Sequence, residues 1–164
     1  MDFIKTYFTA EKNESLIFIA FGILTISFSV YALVKWGDSF YKGFAIPVIL
    51  IGLIQLVVGS TVYFRTDKQI KELETLYVTD KSAFSKAEMP RMHTVMKNFS
   101  LYKKIEIAFV LTGLALLLIV PSKEFWLGIG VGLLLQGALM LTADIFAERR
   151  GKEYQVNLQD EYSK

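Results

Sequence analysis

Apolar positions along the chain gather into four blocks separated by polar connections. The first block runs from Leu16 to Val34 without a charge, and the second from Phe44 to Phe64. The third runs from Ile105 to Val120 with Glu106 near its start, and the fourth from Phe125 to Ala143, just ahead of Asp144. A helix rising ~1.5 Å per residue needs ~20 apolar residues to cross ~30 Å of hydrocarbon, and each block approaches that length. The pattern predicts an all-α fold: a polytopic membrane protein with an antiparallel four-helix transmembrane bundle. The spans fall at about 16–35, 44–64, 105–120 and 125–146. The third is slightly short, so Tyr102, Lys103 and Lys104 beside it are expected to snorkel. The first block is too long, and its polar lead too extended, for a cleaved signal peptide.

Cationic residues orient these spans. Fifteen of the eighteen Lys and Arg residues lie in the arm 1–15, the central segment 65–104 and the tail 147–164. Lys35, Lys42 and Lys123 fall in the two short connections. The positive-inside rule then places both termini and the central segment in the cytoplasm of a multi-pass cell (inner or plasma) membrane protein. Trp36, Tyr41 and Trp126 fall at the outer boundary, where amphipathic rings settle.

The central segment reads as a helical hairpin that extends spans two and three. Ile70, Leu73 and Tyr77 share one face of its first helix. Thr79–Asp80–Lys81–Ser82 reads as the turn. A return helix is expected from about Ala83–Glu88, with Pro90 in its first turn, where proline loses no helical bond. Its apolar stripe is Met89, Met92, Met96 and Phe99. The stripe either packs on Ile70, Leu73 and Tyr77 or forms a docking face for a protein partner, since methionine-rich faces adapt. The tail carries Tyr154, Val156, Leu158 and Tyr162 among polar residues. It is expected to extend helix four and lie against the hairpin, with Gly151 a candidate break.

The halves of the chain resemble each other weakly. Residues 17–21 resemble 105–109, differing at Phe18 against Glu106, and Gln55 precedes Thr61 by the six residues that separate Gln136 from Thr142. Two parallel repeats of a helical hairpin would account for this.

Lipid supplies no hydrophobic drive between helices, so small residues must let backbones approach. Gly22, Thr25, Ser29 and Ala32 form such a seam in span one. Ala45, Gly52 and Gly59 recur every seven residues in span two. Ala108, Thr112 and Ala115 share a face in span three, and Gly128, Gly132 and Gln136 one in span four, with Gly130 and Gly137 beside them. A period near 3.5 predicts left-handed packing. Gly128-x-x-x-Gly132 is alternatively a face for pairing two protomers.

The composition narrows the chemistry. Hydrophobic residues make up 53% of the chain, more than a soluble domain of this size carries. The absence of cysteine excludes disulfides, thiolate metal sites and thiol nucleophiles. A net charge of +2 gives no basis for binding nucleic acid. His93 stands alone as a histidine, which argues against zinc. No cofactor or metal is implied, and no nucleophile elbow or phosphate loop is present.

Four groups remain as candidate sites. Gln55 and Gln136, with Thr25 and Thr112, are the polar groups deep in the spans and serve as structural glue or line a path. Arg65, Glu106, Asp144 and Arg149 read as an interfacial ion-pair network or a relay. The glycines are packing positions, and Met89, Met92, Met96 and Phe99 a docking stripe. The expected function is non-enzymatic: a partner, accessory or toxin-neutralising membrane protein that works by protein–protein contact on the cytoplasmic side, with homo-oligomers as a further option. The alternative is a small oligomeric channel or transporter, and an intramembrane enzyme ranks third.

Overall fold

A computed structural model describes residues 2–162 of the chain. Lys164, counted above among the cations, and the side chain of Tyr162 lie outside the described residues. Four helices account for almost all of it: α1 (Asp2–Lys35), α2 (Ser39–Thr79), α3 (Lys81–Ile119) and α4 (Glu124–Tyr162). No strand occurs among the described residues. Three of the helices, α1, α2 and α4, are long and apolar enough to cross a membrane. In α3 the uncharged stretch, 107–119, is shorter and follows Lys103, Lys104 and Glu106.

The connections are sharp because the chain caps them locally. Gly37 takes φ +60°, which glycine adopts without steric cost, and its N–H returns to the Ala32 carbonyl at 3.3 Å. The Asp38 carboxylate then accepts from the Tyr41 N–H and starts α2. At the other end a single residue, Asp80, makes the corner. Its N–H donates to the Leu76 carbonyl, and its carboxylate accepts from the Ala83 N–H. The turn is therefore tighter than the expected four residues, and α3 begins at Lys81. Pro90 lies inside α3 rather than in its first turn, so the helix loses one bond there. The proline faces solvent, where water can satisfy the freed carbonyl.

Two seven-residue repeats join the helices into hairpins. Phe8, Ser15, Gly22 and Ser29 of α1 face Thr66, Gly59, Gly52 and Ala45 of α2, and all eight are buried. A Cβ on Gly22 would come 2.9 Å from the Gly52 carbonyl oxygen, and one on Gly59 2.9 Å from that of Ser15. Along α3 the repeat is Ser85, Met92, Phe99, Glu106 and Gly113. It meets Leu158, Gly151, Asp144, Gly137 and Gly130 of α4 in antiparallel register. A Cβ on Gly113 would come 2.7 Å from the Gly130 oxygen. Spacing of 3.5 residues per turn keeps such a seam on one face throughout a left-handed pair.

The hairpins pack through α2 and α4, which run parallel at the centre, while α1·α4 and α2·α3 contacts are sparse. This departs from a bundle of antiparallel neighbours. Gly43 lies on the Phe125 carbonyl and Gly128 reciprocally on that of Phe40, so closely that neither has room for a Cβ. Such reciprocity is what two similar hairpins related by a local two-fold axis would produce.

The start of the chain differs from expectation, whereas the tail extends α4 as expected and departs only at Gly151. Residues 2–15 are not an arm but the first turns of α1, and the tail is the last turns of α4. Gly151 breaks nothing: it is a buried helical position against Met96. Ile4, Tyr7 and Phe8 join Phe84, Met92, Tyr154 and Leu158 in one core, with Ile70, Leu73 and Tyr77 packed on its edge. The extension is thus a four-helix cluster, because α2 and α3 alone bury too little against each other.

Candidate functional site: buried polar layers and the outer face of α3

The two deep glutamines meet. Gln55 Nε2 donates to Gln136 Oε1 at 2.9 Å. Gln136 Nε2 in turn lies 3.3 Å from Thr25 Oγ1 and 3.4 Å from the Val48 carbonyl. Gln136 is completely buried, and this layer ties α1, α2 and α4 together. The hollow beside Gln55, lined by Phe18, Phe21, Leu139 and Met140, holds about 20 Å³, room for a single water. Thr112, expected in this layer, is exposed, as is Ala108. The close face of α3 is instead the one carrying Gly113.

A charged layer lies roughly three turns nearer the termini. Lys103 pairs with Glu148, and Arg150 with Glu14. Lys12 reaches Asp67 at 2.6 Å, and Arg65 reaches Glu11 at 3.5 Å. The bond to Lys103 holds the Glu148 carboxyl below the ordinary carboxylate range, whereas burial pushes Glu14 up against the pull of Arg150. Of the four residues expected to form a network, only Glu106 and Asp144 come together. Arg65 serves α1, and Arg149 bonds along its own helix to Glu153. Glu106 is 1% exposed, and neither of its carboxyl oxygens accepts a hydrogen bond from a donor group.

The four-helix end holds a second buried carboxylate, unmarked in the sequence reading. Glu88 is 1% exposed. Arg91 donates to it twice, at 2.8 and 2.6 Å, and the Tyr154 hydroxyl once, at 2.9 Å. Tyr154 stacks on Tyr7 at 4.4 Å, and the Arg91 guanidinium covers Phe8. Burial beside Glu88 raises the Tyr154 hydroxyl well above its usual range. Three donors satisfy this carboxylate, so the cluster is structural: it pins α4 to α3 and α1.

The glycines and the methionine stripe are likewise engaged within the chain. Gly128 and Gly132 face Phe40, Phe44, Pro47 and Val48 of α2, so Gly128-x-x-x-Gly132 is not a free face for a second protomer. Gly137 lies against Phe109 and the Glu106 carbonyl. Met92 is fully buried, and Met89, Met96 and Phe99 are half-buried around Gly151 and the aromatic core. The stripe packs within the chain, because α1 and α4 extend far enough to cover much of it.

The outward side of α3 is different. The two acidic residues of this helix, Glu88 and Glu106, are both buried. Lys86, His93, Lys97 and Lys104 are exposed along the opposite side, with Pro90, Ser100 and Leu101 between them. Among the described residues, Lys86, Lys97 and Lys104 form no ion pair, whereas α2 and α4 carry mixed charges there, such as Lys68–Glu72 and Arg149–Glu153. No family model, curated protein or solved structure matches the chain.

Proposed function

We propose that the chain is a four-span, non-enzymatic membrane protein with both termini in the cytoplasm, and that it acts by binding a protein there through the outward side of α3. Its α1 start and α4 end share one core, with Tyr7 stacked on Tyr154. Three crossings would leave these segments on opposite sides of a bilayer, so the fold supports α3 as a fourth span despite its charges. Exposed Leu24, Val57 and Leu118 on the flanks fit lipid contact.

The observation that carries the binding role is the single sign of charge on the α3 face. From Lys86 to Lys104 the stripe is roughly 27 Å long at ~1.5 Å per residue. A headgroup layer is only about 5–8 Å deep on each side of the bilayer, so lipid alone covers little of it. An acidic protein surface complements the whole length. Photo-crosslinkers at His93 and Ser100 should trap a partner in intact cells, and Lys86→Glu with Lys97→Glu should abolish the capture. Crosslinks that ignore the charge reversal, or none from either position, contradict the reading.

The alternative, an oligomeric channel or carrier, draws support from Glu106. It loses support from Gln55 and Gln136, which bond each other beside a hollow the size of one water.

A further inference from the structure

We infer that Glu106 and Asp144 form a proton-binding site between α3 and α4, holding one proton between their two carboxyl groups when the protein is folded at neutral pH. The argument rests on who faces whom. Glu106 is 1% exposed, and both its oxygens lack a donor. The group against it on α4 is a second carboxyl, Asp144. Two ionised carboxylates in contact repel each other, and an ionised Glu106 would leave its buried lone pairs unmet. Lys103 is the base near enough to attract both carboxyls, and its ammonium is committed to another partner. Lys103, on the same helix, is bonded to Glu148 of α4, and Arg150 of α4 is bonded to Glu14 of α1. From α2, Arg65 and Asp67 are engaged with Glu11 and Lys12 of α1. Gly137 brings the α4 backbone close to the Glu106 carbonyl, where a Cβ would stand 3.1 Å from its oxygen.

A metal ion would need further ligands, and no group of three acidic or histidine side chains able to hold one occurs among the described residues. A proton needs none. It turns two facing acceptors into one O–H···O bond, in which one carboxyl donates and the other accepts. The seam of α3 and α4 is closed while the proton is present. Its loss sets two negative charges against each other where the helices leave the charged layer. A proton bound by the folded chain and not by the unfolded one adds stability as pH falls and removes it as pH rises.

Glu106→Gln and Asp144→Asn test the site in the full chain, purified in detergent. Either carboxamide supplies a permanent N–H to the remaining carboxylate. Infrared spectra of the wild type at neutral pH should show the carbonyl stretch of a protonated carboxyl, absent from both variants. Wild-type melting should decline from mildly acid to mildly alkaline solution. Each amide variant should match the wild type in acid and exceed it in alkali. The inference is overturned if no protonated carboxyl band appears, if the band survives in both variants, or if melting depends on sodium instead of pH. Variants that melt below the wild type at every pH also overturn it, since that result marks a pair needing both charges.

Discussion

The two halves of this molecule are built on the same helices and the same seven-residue repeats, yet they are held by opposite means. In the half with the two short connections, 36–38 and 120–123, the contact positions are glycines, and backbone lies on backbone: Gly22 on Gly52, Gly43 on Phe125, Gly128 on Phe40. In the half that carries the termini the same repeat continues with Phe8, Met92, Phe99 and Leu158, and an aromatic core fills the space. The outside explains the difference. Around the first half the exposed side chains are themselves apolar, such as Ile23, Phe28 and Leu118. Burying more apolar surface there gains little, and stability comes from close fit and a few hydrogen bonds. Around the second half the surface is charged, so burial of large rings is favourable in the ordinary way. The repeat sets the geometry in both, and the medium selects the residue size.

That contrast can be broken by substitution, with unfolding of the purified protein followed by helicity or tryptophan fluorescence. The largest effect is expected from Tyr154→Ala, which empties the middle of the aromatic core and takes a donor from Glu88. About 4 kcal/mol should be lost, by analogy with other buried aromatic truncations. Next come two chemically identical changes in the two halves. Gly128→Ala sets a methyl against the backbone of Phe40 and should cost about 3 kcal/mol. Gly151→Ala sets it against the flexible tip of Met96, 3.0 Å away, and should cost under about 1 kcal/mol because a methionine can move aside. Equal losses at the two glycines would erase the distinction. Gln136→Leu falls between the two glycine changes, since it removes one in-bundle amide pair worth roughly 1 kcal/mol. The Gln55→Leu/Gln136→Leu double variant should lose less than the sum of the singles, since the two share one bond.

Much of this was legible in the sequence, and the failures have physical causes. The pairing of Gln55 with Gln136 could be anticipated because amides deep in an apolar block must find each other or go unbonded. The small-residue seam of α2 was visible as Ala45, Gly52 and Gly59. In α3 the choice of Ala108, Thr112 and Ala115 picked the wrong face, because small residues occur on both sides of that helix. Glu106 marked the inward side, and seven residues on from it lies Gly113. The methionine stripe was located correctly and its cover missed. The signal was present in the first fifteen residues, where Ile4, Tyr7 and Phe8 share one helical face and Phe8 continues the repeat of Ser15 and Gly22 outward. Reading that stretch by its charges, not by its period, made it an arm. Glu88 carried no signal at all: nothing in Glu88–Met89–Pro90–Arg91 distinguishes a buried carboxylate from an exposed one until Tyr154 arrives from the far end of the chain.

The central claim, that all four helices cross the bilayer with the aromatic core inside the cell, rests most heavily on α3. The chain has no cysteine, so single cysteines at Ser122 and His93 can each be probed alone with a membrane-impermeant maleimide on intact cells. Ser122→Cys should react from outside, and His93→Cys only after permeabilisation. The same response at both positions would mean that α3 does not cross, and the four-span account would be wrong.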